Sequence, residues 1–191
     1  ASRDWNQAEA TNAIEGYSNF LNQHPHSYKA PHASAQIERL KIMRDWESVR
    51  SSGTIASYDE FIQRHSNSSQ ASEAKKERAR LELERDWKSA QELDISSAFK
   101  KFLEEHPSSQ YTADAMKRVA ALQLDAAWKD AANKNSEAGW RDFIATYSDS
   151  PKCEAAVSRL RNLQGNKLGS SSVFKGEKEL VTLRGQLTLI F

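Results

Sequence analysis

One cysteine among 191 residues has no partner in its own chain, so no internal disulfide holds this protein together. Charge of one sign is missing too. The 27 Lys and Arg residues are balanced by 26 Asp and Glu, and a net charge of +1 gives no electrostatic reason to expect a nucleic acid or an anionic membrane surface as partner. No run approaches the roughly 18 apolar residues of a membrane span, and no signal-peptide pattern opens the chain. The Gly-x-Ser-x-Gly frame of a serine hydrolase is absent, serines fall at expected caps and linkers, and paired carboxylates such as Glu104-Glu105 read as solvated helix ends. No enzyme activity, cofactor or metal is expected from this inventory. With only four prolines and seven glycines, the few helix breakers mark boundaries.

What is present is a repeat. Trp5, Trp46, Trp87 and Trp128 stand 41 residues apart, three of them inside Arg-Asp-Trp tripeptides that begin at Arg3, Arg44 and Arg85, the fourth inside Ala126-Ala127-Trp128. In the same phase come Tyr17, Tyr58, Phe99 and Trp140, then Phe20, Phe61, Phe102 and Phe143, each followed by Leu or Ile. His24, His65, His106 and Tyr147 follow, then Ser27, Ser68, Ser109 and Ser150, the alanines 33, 74, 115 and 156, and the leucines 40, 81, 122 and 163. A fixed period in the 20–50 range marks stacked supersecondary units, none of which can bury its apolar face alone. Cys153 fills the slot of Ala30, Ala71 and Thr112 and reads as a small packing residue.

Within each unit the aromatic spacing of three, one and three residues predicts a short amphipathic helix, over 13–24 in the first copy. Pro25 or its equivalents end it, a serine such as Ser27 is the expected N-cap of the next helix, and Ser150-Pro151 fits a cap followed by a first-turn proline. Long helices are expected up to about Arg50, over 70–92 and 110–132, and in the fourth copy ending near Leu163. Breaks are expected near 12, 53, 94 and 135, where Asn12, Gly53, Asp94 and Asn135 are residue types that tolerate a left-handed backbone. Residues 1–9 match the end of a unit, so a leading helix is expected, either a cap or the mark of a trimmed, larger protein; the Ala1 start fits a processed product.

The reading is an all-α chain over 1–164, an α-solenoid of about four helical hairpins with a leading helix. A linker is expected at 165–172, and a β-rich tail at 173–191 that forms a hairpin, pairs across a homo-oligomer, or opens another domain. The tryptophans are expected in the core. His24, His26 and His32 form a local cluster that could ligate a metal, yet His24 sits in a repeat slot shared with His65 and His106, which favours a structural role. In the Arg-Asp pairs, adjacent helical residues diverge by about 100°, so they are not expected to pair with each other; Asp45 and Asp86 are expected to bridge to cations on adjacent helices or to cap a neighbour's helix.

The unit aromatic-x-x-Phe-aliphatic-x-x-His-Pro-x-Ser-x-x-x-x-x-Ala resembles the tetratricopeptide-like helical hairpins of bacterial proteins, with a period of 41 in place of the usual 34. That resemblance covers about residues 1–164. It implies superhelical stacking and a protein-binding scaffold, in the cytoplasm or the bacterial periplasm. The exposed short-helix residues that vary between copies are the expected contacts for a protein or peptide partner: Asn19, Gln23, Glu60, Arg64, Lys101, Glu105 and Asp142. The alternatives are a regulatory or spacer segment of a larger, possibly enzymatic, protein and a self-assembling subunit that pairs through its tail.

Overall fold

A computed structural model describes residues 1–171, and these residues are helical with no strand among them. Nine helices follow in order: α1 Ser2–Thr11, α2 Ile14–Gln23, α3 Ala30–Ser52, α4 Ile55–Arg64, α5 Ser69–Leu93, α6 Ser96–Glu105, α7 Thr112–Lys134, α8 Glu137–Thr146 and α9 Cys153–Ser171. Helices α2, α4, α6 and α8, 10 residues each, begin 41 residues apart, so the sequence period is also the structural one. None of the described helices is long and apolar enough to cross a membrane.

The chain divides into two compact units, Ala1–Leu93 and the segment from Asp94 onward. In the first, α2 packs on α1 and α3, and α4 on α3 and α5; in the second, α6 packs on α7, and α8 on α7 and α9. Each short helix buries the face predicted from its spacing: Tyr17 and Phe20, Tyr58 and Phe61, Phe99 and Phe102, Trp140 and Phe143. Opposite them stand Ala33, Ala74, Ala115 and Ala156, all 0% exposed, where a methyl group is all that lets a long helix approach the aromatic ridge.

The breaks fall where expected. Asn12, Gly53, Asp94 and Asn135 all take positive φ, and the N–H groups of Asn12, Gly53 and Asn135 donate to the carbonyls of Ala8, Val49 and Ala131. These close the preceding helices, because only glycine and the short amide or acid side chains enter the left-handed region at low cost. Thr54 then caps α4, its hydroxyl accepting from Ser57 N at 3.1 Å within a capping box, and Ser136 accepts from Gly139 N at the same distance.

Several expectations are corrected. Ser27 does not cap α3, which starts at Ala30 with Pro31 in its first turn. Its backbone builds the connector instead, Ser27 N donating to His24 O and Ala30 N to Ser27 O, a pair of turns repeated at Ser68, Ser109 and Ser150. Pro151 therefore lies in a turn, two residues before α9. Ser68 does cap α5, accepting from Ala71 N at 3.1 Å, while the Ser27 and Ser109 hydroxyls accept from Lys29 N and Tyr111 N at 3.2 and 3.3 Å ahead of their helices. Of the tryptophans Trp5 is buried, whereas Trp46, Trp87 and Trp128 are half-buried; each stands on a long helix, and Trp46 and Trp128 are seen to lean edgewise on the aromatic ridge of the next short helix, which covers only part of an indole. Helix α9 runs past Leu163 to Ser171, through part of the expected linker. Gly165 weakens a helix by about 1 kcal/mol relative to alanine without forbidding it. The expected β-rich tail at 173–191 lies outside the described residues.

Candidate functional site

Two depressions of the same construction occur in the first unit. One runs between α1 and α2 and is lined by Asp4, Gln7, Thr11, Gly16, Asn19 and Gln23. The other, between α3 and α4, is lined by Asp45, Ser48, Ser52, Ser57, Glu60 and Arg64. Every residue in the second set is 41 positions beyond its counterpart in the first. Phe20 and Phe61 supply the matching floors. The helix hairpin is thus one mould cast twice, with two carboxylates (Asp4, Glu15), three amides and a hydroxyl around the first groove and two carboxylates (Asp45, Glu60), a guanidinium and three serine hydroxyls around the second.

An Asp–His pair closes one end of each groove. His24 Nε2 lies 2.8 Å from Asp4 Oδ2, and His65 Nε2 lies 2.9 Å from Asp45 Oδ2, joining the first turn of α1 and the C-terminal part of α3 to the C-cap residue of the following short helix. The imidazoles also pack on Phe20 and Phe61, with centroids 5.2 and 4.9 Å apart. The hydrogen bond from His65 is the main cause holding the Asp45 carboxyl below its ordinary range, with Arg44 assisting, and His24 does the same for Asp4 with the N-terminal ammonium. Each histidine thereby ties its short helix to the preceding one through an aspartate.

Asp45 reaches a neighbouring helix as expected, but its partner there is a histidine. Arg44 meanwhile does pair with Asp45, at 3.0 Å, and Arg85 with Asp86 at 2.8 Å, against the expectation from helix geometry. The 100° divergence applies at Cβ; an arginine's long stem folds back across it. His24, His26 and His32 do not converge: His24 is on Asp4, His32 lies beside the Trp5 ring and 3.4 Å from Gln36, and His26 is exposed.

All seven predicted contact residues are exposed. Asn19 and Gln23 share the first groove, and Glu60 and Arg64, paired with each other, share the second. Lys101 and Glu105 form an i,i+4 pair on α6 at 3.7 Å, and Asp142 is exposed on α8. Sequence reasoning missed the opposite wall, Asp4, Gln7 and Thr11 with Asp45, Ser48 and Ser52. A signal for its polar anchor existed: the fourth copy replaces both members of the pair at once, with Ala127 and Tyr147. A scan against models of known protein families and a search of curated proteins find no match to this chain.

Proposed function

We propose that this chain is a non-enzymatic protein-interaction scaffold, a tetratricopeptide-like α-solenoid of 41-residue hairpins that binds a protein or peptide partner across the faces of its short helices. The observation that carries the reading is the groove that recurs residue for residue between α1–α2 and α3–α4 while its lining changes from Gln7, Asn19 and Gln23 to Ser48, Glu60 and Arg64. A fixed backbone mould with variable polar walls distinguishes successive segments of an extended ligand, as repeat proteins do with their concave surfaces. Lys101, Glu105 and Asp142 stand exposed at the corresponding repeat positions of the later short helices. The polar linings suit peptide main chain and charged side chains, and the Phe20 and Phe61 floors add apolar contact.

The test is comparative capture. Wild-type protein and an Asn19→Ala/Gln23→Ala/Glu60→Ala/Arg64→Ala variant, immobilised at equal density, are exposed to native extract and the bound proteins identified by mass spectrometry. A partner retained by wild type and lost by a variant of unchanged melting temperature supports the groove; identical bound sets would move the binding surface elsewhere.

A further inference from the structure

The tryptophan slot repeats, but what covers it does not. In the first hairpin Lys29 Nζ lies 4.6 Å from the centroid of the Trp5 ring, and in the fourth Lys152 Nζ lies 5.6 Å from that of Trp128. Lys29 and Lys152 are the same repeat position. In the second hairpin that position is Gln70, and among the described residues no cation lies over Trp46. The uncovered place is a depression of about 520 Å³ lined by Trp46, Tyr58, Arg50, Glu73 and Glu77.

Its charge has changed along with the lost lysine. Glu73 and Glu77 occupy the positions of His32 and Gln36 in the first copy and of Ala155 and Arg159 in the fourth. In the fourth copy the ammonium over Trp128 is held by the Asp125 carboxylate; in the second copy, which supplies no lysine, Glu73 and Glu77 line the depression with the half-buried indole. Glu77 is engaged by Arg80 at 2.9 Å, while Glu73 has no such partner, and Arg50 is the one guanidinium on the rim. We propose that the Trp46 depression is a receptor for the side chain of a lysine presented by a partner protein, seated over Trp46 as Lys29 sits over Trp5, with its ammonium facing Glu73 and Glu77. A cation within about 6 Å of an indole face is attracted by the ring quadrupole, and adjacent carboxylates add Coulomb attraction of the same sign. The site uses different residues from the α3–α4 groove, and its test does not depend on the partner proposed there.

The probe is the peptide acetyl-Gly-Lys-Gly-amide, with its norleucine analogue as control, titrated against the full ¹⁵N-labelled chain while the Trp46 indole N–H resonance is followed. The lysine peptide is expected to shift that resonance saturably and the norleucine peptide is not. Glu73→Gln/Glu77→Gln should weaken binding about tenfold, the loss of two charged neighbours at a partly exposed site. Gln70→Lys, which recreates the covering residue of the first and fourth copies, should abolish it with an unchanged far-UV circular dichroism spectrum. Equal response to both peptides, no response to either, or undiminished binding by Gln70→Lys would overturn the proposal.

Discussion

The second and fourth hairpins solve one packing problem with different chemistry. At the foot of α4, Asp45 and His65 join the helices by a polar bond beside Phe61. At the foot of α8 the same positions are Ala127 and Tyr147, and the space is taken by rings: Trp128 meets Trp140 at 4.9 Å and Phe143 at 5.4 Å, both edge to face, and Tyr147 lies 5.2 Å from Phe143. Both hairpins keep a 10-residue short helix and the same left-handed break before it, at Gly53 and Asn135. The polar pair is therefore dispensable to the hairpin as such. What both retain, a buried phenyl ring over a fully buried alanine, is what sets the packing.

The largest effect should come from that shared element. Phe61→Ala and Phe143→Ala each remove a ring that is 2–3% exposed, and each is expected to cost about 3–5 kcal/mol in denaturant unfolding. Similar losses in the two variants support a common aromatic foundation; a mild Phe61→Ala would mean that the Asp45–His65 bond carries the second hairpin and would break the comparison. Next comes the break that both hairpins share. At Gly53, with φ near 59°, an added Cβ meets only the Arg50 carbonyl oxygen at 3.9 Å, so the penalty is conformational and not steric crowding. Gly53→Val should cost about 1–2 kcal/mol and Gly53→Asn, copying Asn12 and Asn135, much less. Thermal melts of the pair measure the difference.

The hairpins and their breaks were legible because their causes are local. Three-and-four spacing of Tyr17, Phe20 and Leu21 decides one helix face, and Asn12 or Gly53 decides a left-handed closure, whatever surrounds them. Burial of Trp46 and Trp128 was not legible, since it depends on how far a neighbouring helix extends over an indole. The grooves were half legible: exposure of Asn19, Gln23, Glu60 and Arg64 follows from helix phase, but which residues face them from α1 and α3 depends on the angle between helices. The connector shows the same division. Ser27, Ser68, Ser109 and Ser150 announce a turn, yet whether a hydroxyl caps a helix or a backbone amide closes the turn is settled by a shift of two residues in where the long helix starts.

A smaller, pH-dependent effect separates the two regions. Because the folded Asp45 carboxyl titrates below its ordinary value of 3.8, the unfolded chain binds the proton more readily, and stability from this pair is present above about pH 4 and fades as pH falls through the folded value. Asp45→Ala should thus lose about 1 kcal/mol at neutral pH, the usual net contribution of a part-buried hydrogen bond. Melting temperatures of wild type and variant should converge in more acid solution. A gap that stayed constant between pH 7 and pH 2 would assign the loss to packing, with no contribution from the carboxylate.

The smallest net effect is the most telling, because it moves the fourth hairpin's solution into the second. Asp45→Ala alone strands His65, whose side chain is only 14% exposed, without its acceptor, and His65→Tyr alone strands a carboxylate at 22% exposure. Together they reproduce Ala127 and Tyr147 beside the equivalent phenyl ring. The double variant is expected within about 0.5 kcal/mol of wild type and more stable than the sum of the two single changes, as contacting residues seldom add. The acid dependence of Asp45 should vanish with it. Additive losses in the cycle would show that the fourth copy tolerates Ala127 and Tyr147 only because Trp140, in place of Tyr58, fills the remaining volume, and a triple variant carrying Tyr58→Trp would then be needed to restore stability.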